Sequence, residues 1–319
     1  GSDNAAGFRN VGVYTVTIQD GGVSFYRSGS NVTSQYSIVR LPGYLTIDKK
    51  ALTFSGSVNK TYDGSRLISS INFTGGLAGD AVTADGNLDN KNVGIGKAVT
   101  IRLLGASQGN YSISGSVNAF VTKASLSLGG LSATARQYDG TTSVALTGTP
   151  TFTAIAGDVV TVSGTGTGTI GNKDVGPQSV TSISGYSFGG LDGGNYQLDT
   201  GPATAIPVAI TPKTLVLSGT TSVTKAYDGT NAVGTVTVGA LAGLVGSETL
   251  TVTGTQTAVY SGVNAGNYSA TVSYAIANGS NGGLASNYTT LANSDVVASI
   301  TRRAVTITPT AQELFRGYG

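Results

Sequence analysis

The tripeptide Tyr-Asp-Gly occurs three times in this chain, and the wide spacing of the copies limits what the chain can fold into. The copies are Tyr62-Asp63-Gly64, Tyr138-Asp139-Gly140 and Tyr227-Asp228-Gly229, each with a lysine or arginine two residues before the tyrosine. The tyrosines are 76 and then 89 residues apart. Because solenoid repeats are roughly 20–50 residues long, this period predicts tandem domains rather than a solenoid of small repeats.

Three further landmarks recur in a fixed order around each copy. A strand-like segment with a lysine or arginine stands 12 to 15 residues before the tyrosine. A Gly-acid step follows the Tyr-Asp-Gly copy, at Gly79-Asp80, Gly157-Asp158 and, in altered form, Gly246-Ser247-Glu248. A turn and a later Asn-Tyr pair complete the order, at Asn92-Val93-Gly94 with Asn110-Tyr111, Asp174-Val175-Gly176 with Asn195-Tyr196, and Val263-Asn264-Ala265-Gly266 with Asn287-Tyr288.

The order of the landmarks predicts the domain boundaries. Residues 1–47 contain only the later landmarks, with Asn10-Val11-Gly12 as the turn and Tyr36 at the Asn-Tyr position, so we interpret them as the back half of a preceding repeat. Three whole repeats are expected at 48–122, 123–211 and 212–301, and residues 302–319 as the opening strand of another. We therefore expect the parent protein to continue at both ends.

The pattern between the landmarks predicts an all-β chain. Apolar and polar residues alternate with the period of a half-buried strand at residues 99–103, 159–163 and 250–253, and no long segment has helical periodicity. Since the connections are short and one contains Pro212, we expect the domains to be arranged end to end as an elongated rod.

Composition argues against several classes of function. The chain has 319 residues and a formal net charge of +2, so we expect no nucleic-acid partner. It has no Cys, His or Met, and therefore no thiolate nucleophile, imidazole base or usual zinc site. We predict that the protein is not an enzyme and has no cofactor. No apolar run reaches 18 residues, so no membrane span is expected in this segment.

The Tyr-Asp-Gly motif is most simply interpreted as structural. Asp-Gly between alternating segments is typical of a hairpin with a type I′ turn, in which both central residues have positive φ. The tyrosine ring would then pack on the edge of the core. A catalytic Tyr-Asp pair would need a shaped pocket and further polar groups, and no motif indicates one.

Two sets of residues are candidate binding sites. Exposed tyrosines could stack on sugars, and four tyrosines near predicted loops are the surface candidates: Tyr26, Tyr44, Tyr186 and Tyr260. Asp85, Asn87 and Asp89 have the alternate spacing of a calcium loop, but Asn90 and Gly96 replace the glycine and glutamate of that motif. We favour a solvated loop there.

The four landmarks together resemble YDG-type repeats, and the junction segments, such as residues 210–213, look like the related MBG-type repeats. Both types are found in large bacterial surface proteins similar to filamentous haemagglutinins and other adhesins. The resemblance covers essentially the whole chain. It implies tandem β-sandwich-like or β-grasp-like repeat domains, export to the bacterial cell surface, a role in adhesion and no catalytic residues.

Two functions follow as expectations. In the first, the repeats form a stiff stalk that presents a distal adhesive region of a secreted or surface-anchored adhesin, in contact with host cells or biofilm. In the second, the repeats themselves bind glycan, matrix or another cell through exposed loop aromatics. We also predict head-to-tail strand exchange between copies, in which the tail of one molecule completes the head of another.

Overall fold

The computed structural model describes residues 10–16, 24–219, 221–309 and 317–318. Parts of the predicted first and last segments (residues 1–9, 17–23, 310–316 and 319) lie outside the described residues. The described strands are β1 (Gly12–Val16), β2 (Tyr26–Arg27), β3 (Ser30–Asn31), β4 (Gly43–Ile47), β5 (Lys50–Phe54), β6 (Ser57–Thr61), β7 (Leu67–Ile68), β8 (Thr83–Leu88), β9 (Gly94–Leu104), β10 (Tyr111–Gly115), β11 (Asn118–Thr122), β12 (Ala124–Leu126), β13 (Gly129–Ala133), β14 (Arg136–Gln137), β15 (Ser143–Thr151), β16 (Thr161–Ile170), β17 (Gly176–Gly189), β18 (Tyr196–Leu198), β19 (Pro207–Thr211), β20 (Val216–Ser218), β21 (Ser222–Ala226), β22 (Thr235–Thr237), β23 (Ala240–Ala242), β24 (Leu250–Gln256), β25 (Gly266–Asn278) and β26 (Ser294–Thr301).

The helical content of the described residues is limited to four 3₁₀ turns of three residues each: Thr33–Gln35, Gln108–Asn110, Gly193–Asn195 and Ala285–Asn287. Each one ends at the residue before a tyrosine. The prediction of an all-β fold is confirmed. In the part of the chain that the structure describes, no helix has the length and apolar character needed to span a bilayer.

The chain divides into two compact units. The first comprises Gly1–Leu126, Phe152–Gly164 and Tyr186–Asp199, and the second comprises Ser127–Thr151, Thr165–Gly185 and Thr200–Gly319. The second predicted repeat is therefore shared between the units, and its segments 152–164 and 186–199 belong with the first repeat.

A five-stranded sheet dominates the first unit, in the order β6-β11-β9-β8-β7. Strand β6 pairs parallel with β11, whereas β11, β9, β8 and β7 pair antiparallel. A separate parallel pair, β5 with β10, lies in the same unit. Leu52 and Phe54 of β5 belong to one buried cluster with Ala119 and Val121 of β11, so the two layers pack together as in a sandwich.

The same pairing scheme recurs along the chain. In the second unit, the short strand before each Tyr-Asp-Gly copy pairs parallel with the closing strand of its repeat: β14 with β19, and β21 with β26. The closing strand also pairs antiparallel with the long strand that begins at the Val-Gly-like turn, β17 or β25. Since a β-grasp fold places a helix on its sheet and the described residues contain no α-helix, the sandwich-like alternative fits better.

The predicted type I′ hairpin at Tyr-Asp-Gly is wrong. Gly64, Gly140 and Gly229 have positive φ, but none of the preceding aspartates does, and a type I′ turn requires both. Strands β6 and β7, on either side of the first copy, lie at opposite edges of the sheet. In the third copy the flanking β21 and β22 do pair, but residues 227–234 separate them.

Candidate functional site

The Tyr-Asp-Gly tyrosine of one repeat binds the acid of the next repeat. In the first unit, the Tyr62 hydroxyl donates a hydrogen bond to Oδ2 of Asp158 at 2.7 Å, across 96 residues of sequence. The Tyr196 hydroxyl donates to the same oxygen at 2.6 Å. The two tyrosine rings meet edge to face with centroids 5.5 Å apart, a favourable geometry for aromatic pairs.

A lysine neutralises this carboxylate. Lys91 Nζ contacts Oδ1 of Asp158 and lies 3.0 Å from Oδ1 of Asp192. It also lies 5.8 Å from the centroid of the Tyr62 ring, within cation–π range. The Asp158 side chain is almost fully buried, so it needs these charge-assisted hydrogen bonds to remain ionised. We call Tyr62, Lys91, Asp158, Asp192 and Tyr196 the first junction.

The second unit contains the same arrangement one repeat further along. The Tyr138 hydroxyl donates to Oε1 of Glu248 at 2.5 Å, and the Tyr288 hydroxyl donates to Oε2 at 2.6 Å. Lys173 Nζ lies 3.4 Å from Oε1 of Glu248 and 5.7 Å from the centroid of the Tyr138 ring. We call Tyr138, Lys173, Glu248 and Tyr288 the second junction.

A tight turn places each acid. The N–H of Asp158 donates to the carbonyl of Ile155, and the N–H of Glu248 donates to the carbonyl of Val245. In the turn of residues 155–158, the glycine with positive φ is the third residue, Gly157. In the turn of residues 245–248, it is the second residue, Gly246. The altered Gly246-Ser247-Glu248 step is thus a different turn of the same length, which brings a glutamate to the equivalent position.

The Asn-Tyr asparagine binds the turn of the preceding repeat. Oδ1 of Asn195 accepts the N–H of Val93 at 2.9 Å, and its amide donates to Oδ1 of Asn92 at 3.1 Å. Asn287 repeats both contacts with Val175, at 3.0 Å, and Asp174, at 2.9 Å. Both asparagines are buried, so their polar groups are satisfied across the repeat boundary rather than by solvent.

The glycine of the motif also faces the next repeat. A Cβ added to Gly64 would lie 2.9 Å from Cγ2 of Ile155, and one added to Gly140 would lie 2.8 Å from Cγ1 of Val245. Ile155 and Val245 are the first residues of the two turns that carry the junction acids. Glycine is therefore required here for its positive φ and for the close approach of the two repeats.

The aspartate of the motif does not enter the junction. Asp63 pairs with Lys60 at 2.8 Å and accepts the N–H of Ser65. Asp139 with Arg136, and Asp228 with Lys225, repeat this local arrangement. The conserved order of basic residue, tyrosine and aspartate within the three copies thus builds an Asx turn that aims the tyrosine.

Electrostatics hold the junction groups in one protonation state at neutral pH. Burial opposes ionisation of Asp158, but hydrogen bonds from Lys91, Tyr196 and Tyr62 outweigh it and lower its pKa. The hydrogen bond to Asp158 is the main cause that raises the pKa of Lys91. Burial, followed by the hydrogen bond to Asp158, raises the pKa of Tyr196 to about 12.

The second junction has the same electrostatic pattern. Burial opposes ionisation of Glu248, but hydrogen bonds from Tyr138, Tyr288 and Lys173 lower its pKa. Burial, followed by the hydrogen bond to Glu248, raises the pKa of Tyr288 to about 12. At neutral pH the ionised acid and the protonated lysine form an ion pair, and the neutral tyrosines donate hydrogen bonds to the acid. None of these groups is therefore poised to exchange protons near pH 7.

The candidate sugar-binding tyrosines do not form one group. Tyr26 and Tyr44 are exposed, and Tyr186 is half-buried. Tyr260 is only 1% exposed and its hydroxyl donates to the carbonyl of Ser299, so its expected surface position is wrong. It belongs to the buried cluster of the third repeat.

The calcium-loop hypothesis is not supported by the local structure. Asp85 and Asn87 lie within strand β8 rather than in a loop. Arg102 binds the Asp85 carboxylate through Nε at 2.9 Å and through its terminal nitrogen at 2.5 Å, and Lys97 pairs with Asp89. The described residues contain no cluster of three acidic, histidine or cysteine side chains able to hold a metal ion.

Sequence reasoning missed the two junction lysines. Lys91 and Lys173 each stand directly before the Asn/Asp-Val-Gly turn, and aligning the repeats on that turn would have revealed the shared position. The third repeat has Val263 there. Tyr227 of this repeat is exposed, whereas Tyr62 and Tyr138 are buried against the repeat that follows each of them.

The fold and the two junctions define a class of all-β tandem-repeat proteins in which shared polar motifs bind consecutive repeats together. The chain belongs to the YDG domain family, which matches residues 48–119, 122–205 and 211–296. The resemblance to YDG repeats is thereby confirmed.

Other comparisons add no functional information. No curated protein sequence matches the chain. Seven chains of solved structures match it. One is N-cadherin EC1-3 of Drosophila, which covers 79% of this chain and 98% of its own length, at 8% identity and a TM-score of 0.17. A TM-score that low supports no inference about fold or function.

Proposed function

We propose that this chain is a segment of a secreted or surface-anchored bacterial adhesin, in which the YDG repeats act as a stiff stalk that presents a distal adhesive region. The observation that supports this role is that the recurring motifs are used to join repeats. At both junctions the tyrosine and the lysine bind the acid of the next repeat through charge-assisted hydrogen bonds. The asparagine accepts a backbone N–H from the turn of the preceding repeat.

A stalk needs such contacts because flexible linkers alone would let consecutive domains reorient. In the first unit, the buried cluster runs without interruption from Leu52 and Tyr62 of the first repeat to Leu126 and Tyr196 of the second. Separating the repeats would expose this apolar surface as well as an ion pair. Both costs favour one fixed arrangement.

A spin-label experiment tests the proposed stiffness at the first junction. Because the chain has no cysteine, labels can be attached at Ser69→Cys and Leu191→Cys, two exposed positions on either side of the junction. We expect a narrow distance distribution that broadens when Asp158→Asn is added. The control is Asp63→Asn, which removes an exposed carboxylate of the same repeat pair. A broad distribution in the unmodified junction would contradict the stalk proposal.

The proposed location needs a separate test in cells. Antibodies raised against the repeats should label intact bacteria, and treatment of intact cells with a protease should remove that label. Deletion of the repeats should weaken attachment to host cells or biofilm, and replacing them with an unrelated stiff spacer of similar length should restore it. Failure of the spacer to restore attachment would favour direct binding by the repeats.

Direct binding of glycan, matrix or another cell is the second proposal, favoured by the exposure of Tyr26 and Tyr44. Exposed aromatic rings offer flat apolar faces on which sugars stack. A glycan array should show saturable binding that Tyr26→Ala and Tyr44→Ala together abolish. Tyr227→Ala, which removes another exposed tyrosine, is the matched control. We propose no catalytic role, since the junction groups have no proton-exchanging member near neutral pH.

A further inference from the structure

Strand β20 has an open edge inside the third repeat. In the first repeat, β5 pairs in parallel with β10 along all five of its residues. In the second repeat, β12 pairs in the same way with β18. In the third repeat this parallel pairing is reduced to a single bridge, between Lys213 and Tyr288. Among the described residues, β20 itself pairs only with β23, which is antiparallel to it.

One extra residue accounts for the missing strand. In the first two repeats, the second residue after the Asn-Tyr tyrosine is aliphatic and lies opposite a leucine of the partner strand. These pairs are Ile113 with Leu52 and Leu198 with Leu126. In the third repeat that residue is Thr290, and the aliphatic residue, Leu291, comes one position later. Because a shift of one residue moves a side chain to the other face of a strand, continued pairing would turn Leu291 outward, and residues 289–293 form no strand.

A cleft of about 430 Å³ lies beside β20, and its volume is typical of ligand sites. Four side chains give it an apolar lining: Leu217, Tyr274, Leu291 and Val296. Leu217 is half-buried. Its counterparts, Phe54 and Leu128, stand at the same distance from the residue opposite the tyrosine and are 1% and 0% exposed. Leu217 is thus incompletely covered at a position where the other two repeats close their core.

Backbone groups of β20 face this cleft. The N–H of Lys213 donates to the carbonyl of Asn287, and the carbonyl of Lys213 accepts the N–H of Thr289. Since the backbone groups of alternate residues in an extended chain point to the same side, those of Leu217 point to the side that Lys213 uses. In the part of the chain that the structure describes, no strand pairs with β20 on that side.

The second repeat shows what these groups can bind. The carbonyl of Leu126 accepts the N–H of Asp199, the residue directly after β18, at 2.9 Å. Leu215 is the counterpart of Leu126 in the third repeat, and Leu217 is the next residue with the same orientation. A row of carbonyl groups beside an apolar cleft suits strand addition, in which backbone hydrogen bonds supply affinity and the cleft supplies specificity.

We propose that this cleft binds an extended polypeptide segment, which pairs in parallel with residues 215–218. The parallel direction follows from β10 and β18, which occupy the same edge in the other two repeats. The bound segment has an aliphatic residue opposite Leu217, because paired residues point to the same face of a sheet and Leu217 lines the cleft. The residues on either side of it are serine or threonine, because the other face of β20, at Val216, is exposed.

Binding of a peptide to the full chain tests the proposal. The probe is a fluorescently labelled peptide, Tyr-Ser-Ile-Ser-Gly-Ser, which has the sequence of residues 111–116. We expect saturable binding, measured by fluorescence anisotropy. Replacement of the isoleucine of the peptide by aspartate should weaken binding at least tenfold, since a charge would have to enter an apolar cleft.

Methylation of peptide nitrogens tests whether the peptide pairs as a strand. In a parallel pair, the residue after the paired one donates its N–H to the partner strand, as Asp199 does to Leu126. A methyl group on the nitrogen of the serine after the isoleucine should therefore weaken binding about tenfold. The matched control has the methyl group on the isoleucine nitrogen, which points away from β20, and should bind nearly as well as the unmodified peptide.

Deletion of Thr290 should close the site from within the chain. It places Leu291 two residues after Tyr288, which is the spacing of the first two repeats, so that residues 289–293 can pair with β20. We expect peptide binding to fall at least tenfold and the melting temperature to rise. Thr290→Ala keeps the length and should bind the peptide as the unchanged chain does. Slow hydrogen exchange of the Val175 amide, which lies at the second junction, checks that this junction is intact in both variants.

Three results would overturn the proposal: no binding of the peptide, equal effects of the two methyl groups, or unchanged binding after deletion of Thr290. Changes in the NMR signals of Leu217 and Leu291 on addition of cellobiose, without binding of the peptide, would assign the cleft to glycan instead. These experiments leave the hydrogen bonds between tyrosines and acids in place, so their failure would not count against the stalk proposal.

Discussion

At the scale of single residues, the chemistry of this protein is concentrated in two buried carboxylates. Asp158 and Glu248 each accept two tyrosine hydroxyls and face one lysine. A buried acid without such partners would be protonated or would destabilise the fold. In each case the three polar partners stabilise the buried charge and join two consecutive repeats.

Replacement of Asp158 by asparagine should open the first junction. The amide keeps the size of the side chain but removes the charge that pairs with Lys91, and we expect a loss of about 2–3 kcal/mol in unfolding free energy. The Val93 amide, whose N–H binds Asn195, should exchange its hydrogen about tenfold faster. The Val175 amide in the second junction should be unchanged.

The control for this substitution is Asp63→Asn, because the Asp63 carboxylate is more than half exposed and an asparagine side chain can still accept the N–H of Ser65. An ion pair whose carboxylate is in contact with solvent contributes little, so the effect should stay within about 0.5 kcal/mol. Equal effects of the two substitutions would contradict a special role for the buried acid.

Stability should fall at both extremes of pH. The pKa of Asp158 is below its ordinary value of 3.8, so its contribution is complete above that value and is lost as pH falls through the lower folded-state pKa. Tyr196 and Tyr288 have pKa values raised to about 12 from 10.0, so their contribution is complete below pH 10 and is lost as pH rises through about 12.

Urea unfolding at a series of pH values measures both losses, and the near-ultraviolet absorbance of tyrosinate follows the alkaline one directly. Tyr196→Phe and Tyr288→Phe should each remove part of the late tyrosinate titration. Titration of all tyrosines in a single step at the ordinary pKa would show that the junction tyrosines are exposed to solvent.

At the scale of elements, the glycine of the Tyr-Asp-Gly motif has two roles. It adopts the positive φ that the turn needs, and it allows the next repeat to approach closely. Gly64 and Gly229 have nearly the same positive φ, 76° and 81°, but only Gly64 faces a neighbouring repeat, at Ile155. Both turns carry the same local ion pair. A difference in stability between alanine variants at these two positions therefore measures the contact between repeats at the first junction.

Alanine substitution separates these roles. Gly229→Ala should cost about 1 kcal/mol, the price of a left-handed conformation for a residue with a Cβ. Gly64→Ala carries the same cost and adds a contact at 2.9 Å with Ile155, so we expect an additional loss of about 1–3 kcal/mol. Thermal unfolding of the two variants measures the difference, and equal shifts would argue against close packing at the first junction.

At the scale of the whole molecule, the connections between repeats are parts of the folded structure. Only Lys123 separates β11 from β12. The N–H of Lys213 donates to the carbonyl of Asn287, and its carbonyl accepts the N–H of Thr289. By contrast, Arg302 and Arg303 follow the last described strand and are exposed.

Limited digestion with trypsin should therefore cut after Arg302 or Arg303 long before it cuts after Lys123 or Lys213. A protease needs locally unfolded backbone, and paired strands supply little of it. Intact mass of the early products identifies the sites. Early products that end at Lys123 or Lys213 would mean that the repeat boundaries open readily.

The sequence by itself determined the class of this protein and the order of its parts. Strand alternation and the recurring landmarks are local patterns that report the all-β fold and the YDG repeats without reference to distant residues. The prediction of a type I′ hairpin at Tyr-Asp-Gly was wrong because Asp-Gly favours a tight hairpin only locally. Strand β6 pairs with β11 instead, and β7, which follows the motif, lies at the opposite edge of the sheet.

Only the tertiary structure determined which recurring motif of one repeat contacts which motif of the next. Tyr62 and Asp158 are separated by 96 residues and belong to different repeats, and no local pattern indicates that a tyrosine reaches forward past the acid of its own repeat. Burial decided this pairing, because each ionised acid must find enough donors once its repeat is covered by the one before it.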